Sequence, residues 1–425
     1  MIPEDFLHYV WRTRSFDHRD LRTNKNQPVF IEKPGIWNHD QGPDFSDARV
    51  KIDDVVFHGH VEIHIQSEDW YRHRHHEDEK YNNTILHIAH TTNGKPVRRA
   101  DGTVIPEIVL ADRIPPSLLL QYNRLQLSQD EFPCSKLIHQ VKPIVIRSWI
   151  DRMAVERIEQ KAAVIKKRMD EENLDWEQLL WEELAAMMGG PVNKEVFREM
   201  AQRMPHRILR NYVDEPFQLE ALLFGICRLL TGGKGFDVYF QDLKKEWEYL
   251  AAKHKIELPP PLNIRFLRMR PAAFPTIRIS QIAQLLMQFP RFTDLLSLEA
   301  FDQFLEINIT TSAYWENHYR FFEDKKRSLK KLGKSQKEIL MANVILPIAW
   351  LYHRAHGRNH LDQLVENGLT RLSPENNRLT RPFMKTGISN EHAFDSQGLI
   401  QLKKRYCDEK RCLECGIGGA ILGNG

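Results

Sequence analysis

Apolar positions along the chain follow two periods in succession. Residues 4–14 place Phe6, Leu7, Val10 and Trp11 on one helical stripe, and short β-type runs follow at Pro28–Glu32, Ala48–Ile52, Val55–Gln66 and Thr84–His90. Pro34-Gly35 and Gly42-Pro43 punctuate the first two runs, Asp53-Asp54 joins a hairpin, and Asn93-Gly94 closes the last. Between Gln66 and Thr84 a polar stretch opens on Ser67, Glu68 and Asp69, which suit the first turn of a helix because they cap free N–H groups and complement the helix dipole. The predicted order is helix, three strands, helix, strand. A further extended segment, Val104–Leu110, ends at Pro115-Pro116.

Beyond about residue 140 the period becomes helical. Arg147–Asp170, Trp176–Met188, Lys194–Arg203, Gln218–Leu230, Phe236–His254, Ile279–Phe289, Gln336–His356 and Ser389–Tyr406 read as amphipathic helices, with Pro or Gly between most of them. No regular repeat of roughly 30–50 residues is visible, which argues against a solenoid. The expected class is α+β: an αβββαβ unit at 1–115, a linker at 116–140, a helical domain at 141–405 and a Cys-rich motif at 406–425.

Composition adds boundaries more than direction. With 425 residues, 42% of them apolar, the chain can bury a sizeable core. Sixty Lys and Arg against 57 Asp and Glu leave a net charge of +3, so any nucleic-acid footprint has to be a local patch. The opening MIPEDFLHYVWRTR carries acids and lacks the pattern of a signal peptide, and no window approaches about eighteen uninterrupted apolar residues, so a cytoplasmic location is expected.

The segment Val55–Gln66 alternates, with Val55, Phe57, Val61, Ile63 and Ile65 on one face and His58, His60, Glu62, His64 and Gln66 on the other. The first face reads as core and the second as a row of potential ligands. Gly42-Pro43-Asp44-Phe45 sets a carboxylate just after a tight turn, at the entrance of the neighbouring strand, where Asp44 and Glu62 can approach. Two such carboxylates repel, and a divalent cation stabilises both in ionised form. Eight of the nineteen histidines, His58, His60, His64, His73, His75, His76, His87 and His90, fall in the same region and favour manganese, iron or zinc over magnesium. His73, His75 and His76 read mainly as solvent-facing, and Trp70, Tyr71 and Tyr81 as packing residues.

With an aspartate at the second strand and Glu62-Ile63-His64 on the third, the first ninety or so residues resemble the PD-(D/E)XK nuclease fold, whose αβββαβ core carries Asp and Glu-x-Lys at these places. The resemblance implies Asp44 and Glu62 as ligands of magnesium or manganese, the Ile63 carbonyl as a further ligand, and Glu4 in the first helix completing the site. His64 stands where that family has Lys, and a neutral imidazole lacks the ammonium's charge while keeping the ability to accept a proton or ligate a softer cation. His73-Arg74-His75-His76 also resembles the HxHxDH pattern of binuclear metallohydrolases, and His73, His75 and Glu79 a cupin ligand set, with several positions of each missing.

Cys407, Cys412 and Cys415 have the tight spacing of soft-metal ligands, and Cys134 is the candidate fourth partner, whereas Cys227 lies in an apolar run and reads as core. The layout resembles the iron–sulfur staple of helicase-associated PD-(D/E)XK nucleases, except that the upstream Cys follows the α/β unit; structural zinc fits the spacing equally. Arg265, Arg268, Arg270 and Arg278, interleaved with Pro271 and Phe274-Pro275, form a candidate nucleic-acid contact, and Lys325-Lys326-Arg327 with Lys330-Lys331 a second basic patch. Taken together, GPDF, VEIH, Asp69-Trp70, Tyr81-Asn82, LHI, RPAAFPTIRISQIA and the closing cysteines resemble a bacterial domain-of-unknown-function family spanning the full chain. Three functions are compatible: a metal-dependent nuclease using Asp44, Glu62 and His64; a non-catalytic scaffold that binds nucleic acid or protein; and a metallohydrolase or oxygenase acting on a small molecule through the histidines.

Overall fold

A computed structural model describes residues 2–232, 236–257 and 260–424. The chain is a mixed α/β protein, with a sheet in its N-terminal part and a mostly helical C-terminal region. Two compact units are present: residues 1–150 with 381–388 and 402–425, and residues 151–380 with 389–401.

The first unit opens with α1 (Glu4–Thr13), whose Phe6, Leu7, Val10 and Trp11 are fully buried, as the stripe predicts. The strands are β1 (Val29–Lys33), β2 (Ile36–Trp37), β3 (Phe45–Ile52), β4 (Val55–Gln66), β5 (Thr84–Thr91) and β6 (Glu107–Val109). They form one mixed sheet in the order β1-β3-β4-β5-β6, with β2 paired to β3. The pairs β1·β3 and β3·β4 are antiparallel, whereas β4·β5 and β5·β6 are parallel. Asp53-Asp54 does close the β3·β4 hairpin, with Ile52 opposite Val55.

The hairpin register is not uniform. Between Phe45 and Ala48 an extra residue bulges out of β3, with Asp47 at φ 53°, so that Phe45 lies opposite Val61 and Ala48 opposite Gly59. Continued without the bulge, the register set at Ile52 and Val55 would bring position 44 opposite Ile63. The extra residue brings it opposite Glu62 instead.

Three expectations change here. The polar face of β4 is not a half-buried row: Val55, Val56, Phe57 and His58 are exposed, while Val61, Glu62, Ile63 and His64 are all buried, because parallel pairing on one edge brings cover to both faces. The helix after Ser67 is one turn, α2 (Asp69–Arg72), followed by 3₁₀ turns at His75–Glu77 and Glu79–Tyr81. The stretch 116–140, expected as a linker, carries α3 (Pro116–Leu127), started by Pro116 in its first turn.

In the second unit the helical period is realised closely where a cap defines the start. Trp176–Met188 begins after Asp175, whose side chain accepts the Gln178 N–H at 2.8 Å. Gln336–His356, expected as one helix, is Lys334–Leu340 and Leu346–Ala355 joined by a π turn at Met341–Ile345, next to Pro347, whose ring nitrogen has no N–H to give. Helices Leu298–Glu306 and Leu361–Thr370 were not anticipated. Trp181, Phe197, Phe224, Phe292 and Trp315 anchor the core, which also encloses Glu220 hydrogen-bonded by Tyr239, Ser280 and Trp315.

Gly59 in β4 packs directly against the neighbouring chain segment: a Cβ there would stand 2.4 Å from the Asn83 carbonyl oxygen and 2.6 Å from Ile85 Cγ2. Gly59→Ala is expected to destabilise the protein by about 1–3 kcal/mol in urea unfolding. An unchanged midpoint would show that the two strands separate there at no cost.

Candidate metal centre

Asp44 and Glu62 meet across the β3·β4 ladder, and each carboxylate is fixed by the other residue's strand. The Asp44 N–H donates to Glu62 Oε2 at 3.0 Å, and the Ile63 N–H donates to Asp44 Oδ2 at 2.9 Å. The first helix supplies two more groups one turn apart. His8 Nε2 lies 3.2 Å from Asp44 Oδ2 and 4.0 Å from Glu4 Oε1. Ligand atoms of Glu4, His8 and Asp44 lie within 4.8 Å of one another. Burial alone would lower the His8 pKa, but the Asp44 hydrogen bond and the charges of Asp44 and Glu4 outweigh it and raise it.

A second group of ligand atoms within 4.8 Å of one another comprises His64, His73 and His75. Its geometry depends on Arg74, which adopts a left-handed conformation with φ 61° between α2 and the following 3₁₀ turn. The chain reverses there, and His73 and His75 both come within about 5 Å of the His64 ring, at 5.1 and 5.3 Å between centroids. Glu62 stands beside this group, with Oε1 3.2 Å from His75 Nε2 and 3.8 Å from His64 Nε2. Buried Trp70 and Tyr81 wall the cluster, Tyr81 lying 3.9 Å from the His75 ring.

Behind His64 runs a buried chain of hydrogen bonds: His64 Nδ1 to His87 Nε2 at 2.8 Å, then His87 Nδ1 to Glu107 Oε2 at 2.8 Å, with the Ser67 hydroxyl also donating to Glu107. Burial would raise the Glu107 pKa, but the bonds from His87 and Ser67 more than compensate and hold it below its ordinary value. An ionised carboxylate only accepts, so His87 Nδ1 carries a proton. With both rings neutral, His87 Nε2 then accepts from His64 Nδ1–H, and the lone pair of His64 Nε2 faces the site. That nitrogen is buried and has no hydrogen-bond partner. Burial, reinforced by the neighbouring imidazoles, lowers the His64 pKa far below its ordinary range and takes His75 down to about 4.

Sequence reasoning therefore missed His8 and Glu107, counted His87 only among the eight histidines of the region, and read His75 as solvent-facing, whereas it is largely buried. The i,i+4 spacing of Glu4 and His8 was an available signal. His87 and Glu107 are brought together by the parallel β5·β6 pair, in which they are register partners. Cys134, Cys407, Cys412 and Cys415 line a common cavity in the first unit. In the second unit Arg265, Arg268 and Arg270 are exposed, while Arg278 is half-buried and donates to the Gln281 and Gln336 amides at 2.9 and 3.3 Å. Lys330, counted in a basic patch, is buried and donates to the Trp315 and Glu316 carbonyls.

Fold and centre thus define a mixed α/β protein whose sheet carries a carboxylate and imidazole cluster. The family described as "Protein of unknown function (DUF2851)" matches residues 4–378, and the chain belongs to it. The match ends before the closing cysteines, so the expected full-length coverage is narrowed to these residues. No curated protein and no solved structure matches the chain. Among the described residues no helix is long and apolar enough to cross a membrane.

Burial and the adjacent Asp44 carboxylate push Glu62 from its ordinary 4.5 up to about 9. A carboxyl raised in the folded state contributes stability that is complete below its unfolded value and is lost as pH rises through the folded one. Metal-free protein should therefore lose stability between about pH 4.5 and 9 in urea titrations, and Glu62→Gln should flatten that limb. A slope that persists unchanged in the variant would assign it to other groups.

Proposed function

We propose that the protein is a metal-dependent hydrolase of phosphodiester bonds, nuclease-like in its N-terminal unit, with a divalent cation at Asp44 and Glu62. The observation that carries this reading is the meeting of Asp44 and Glu62, each held by a backbone N–H of the other's strand, beside a buried His64 Nε2 that has no hydrogen-bond partner and lies 3.8 Å from a Glu62 oxygen. In the metal-free protein a proton on Glu62 relieves its repulsion with Asp44, and a cation that replaces that proton would be shared by Asp44, Glu62 and the His64 lone pair. The donor set fits: Glu4, His8 and Asp44 on one side of Glu62, His64, His73 and His75 on the other. Mixed carboxylate and imidazole ligation favours manganese over magnesium.

When bound, the cation supplies Lewis-acid polarisation of a phosphoryl oxygen and a lowered pKa for water. The chain supplies the rest. Backbone N–H groups of Asp44 and Ile63 hold the two carboxylates in place, and the Glu107–His87 chain keeps His64 Nε2 unprotonated and able to bind the cation or take a proton. In contrast to His64, His8 has its pKa raised, the Asp44 hydrogen bond and the Asp44 and Glu4 charges outweighing burial. The order α1, β1, β3, β4, α2, β5 supports the nuclease-like reading. Exposed Arg265, Arg268 and Arg270 are candidates for backbone phosphate contacts.

The group of three imidazoles supports a second reading, hydrolysis of a small molecule through His64, His73 and His75 with a softer cation. Incubation of DNA and RNA with the protein in manganese or magnesium separates the two. Cation-dependent strand cleavage is expected, reduced about 100-fold or more in Asp44→Asn and Glu62→Gln. Absence of cleavage of either polymer with either cation overturns the first reading, and hydrolysis of small esters abolished by His73→Ala establishes the second.

A further inference from the structure

The closing segment of the first unit builds a site with no part in the chemistry above. Cys407, Cys412 and Cys415 and, from nearly three hundred residues upstream, Cys134 line one cavity, walled by Pro133, Ile138, Phe383, Leu402 and Ile417. All four thiols are free and buried. Every pair among them is close enough for one sulfur to raise the pKa of the other; burial takes Cys415 up to about 11, and burial with the Cys415 sulfur takes Cys412 to about 12.

Spacing decides between the two cofactors that four thiolates attract. Around one zinc ion with Zn–S bonds of about 2.3 Å, tetrahedral thiolates stand about 3.8 Å apart. Among the described residues, the groups of three or more ligating atoms within 4.8 Å of one another are those of the candidate metal centre, and no three of the four cysteine sulfurs form one. The thiolates thus share a cavity without converging on a point. That is the arrangement of terminal ligands on a polynuclear cluster, in which inorganic sulfide bridges the irons and holds the cysteines apart.

The surroundings fit such a cluster. The Ile417 and Gly418 N–H groups and the Trp149 side chain hydrogen-bond the Cys415 sulfur, a contact that offsets thiolate charge. Gly418 permits this fold of the chain, since a Cβ there would stand 2.1 Å from the Cys412 carbonyl oxygen. Lys403 and Lys410 add positive charge near Cys407 and Cys412. We propose that Cys134, Cys407, Cys412 and Cys415 hold an iron–sulfur cluster, and that it clasps the segment after α3 to the C-terminal segment of the same unit.

The test is the composition of the full chain purified without oxygen. Iron and acid-labile sulfide are expected in equal amounts, with more than one iron per chain, a broad visible charge-transfer band, and bleaching on reduction. Cys134→Ser and Cys407→Ser should each lower bound iron at least about fivefold, while Glu62→Gln retains it, which separates this site from the sheet centre. Wild-type composition decides the matter even if the cysteine variants fail to fold. One zinc per chain without sulfide overturns the proposal, as does protein that carries no iron and takes up none when supplied with ferrous iron and sulfide under reducing conditions.

Discussion

One buried carboxylate sets the tautomers of the two imidazoles it reaches, His87 and His64. Glu107 is fully buried at the start of β6, held ionised by His87 and the Ser67 hydroxyl, and its acceptor-only character passes through two rings to fix which nitrogen of His64 is bare. Without it either ring could carry its proton on either nitrogen. With Glu107 in place, the His64 lone pair has one direction, toward Glu62. Its burial beside Trp70 and neighbouring imidazoles makes protonation the least favourable way to satisfy it.

The acidic half of the site depends on a different device, the bulge at Ser46 and Asp47. A bulge is the usual way a sheet re-aims one side chain without rebuilding its core. Here it brings Asp44 and Glu62 face to face while Phe45, Ala48, Val50 and Ile52 stay buried on β3. Position and protonation are therefore set by separate elements, the hairpin on one side and the parallel β4·β5·β6 edge on the other.

This division explains what was legible in the sequence. The apolar stripe of α1, the hairpin at Asp53-Asp54, the approach of Asp44 to Glu62 and the capped helix Trp176–Met188 rest on local periodicity and turn chemistry, which a single chain displays. The bulge was not legible, because its left-handed residue is Asp47 and no glycine marks it. Nor was the Glu107–His87–His64 chain, since parallel pairing joins residues 20 and 23 positions apart through connections that carry no register signal. His75 was misjudged for a related reason: its polar neighbours read as solvated, and only the reversal at Arg74 turns it inward. The second unit lost accuracy where proline and short caps divide the helices, as at Met341–Ile345. The shared cavity of the four cysteines follows from the chain's long return to Cys134, and their spacing, which separates zinc from a cluster, belongs to the structure alone.

The arrangement turns on where two protons sit, and nitrogen-15 spectroscopy of labelled histidine in the metal-free protein locates them directly. The account predicts both rings neutral, His87 and His64 each protonated at Nδ1, and a bare Nε2 on His64 whose resonance shifts when a divalent cation is added. A proton found on His64 Nε2, or an imidazolium at His87 near neutral pH, would contradict it.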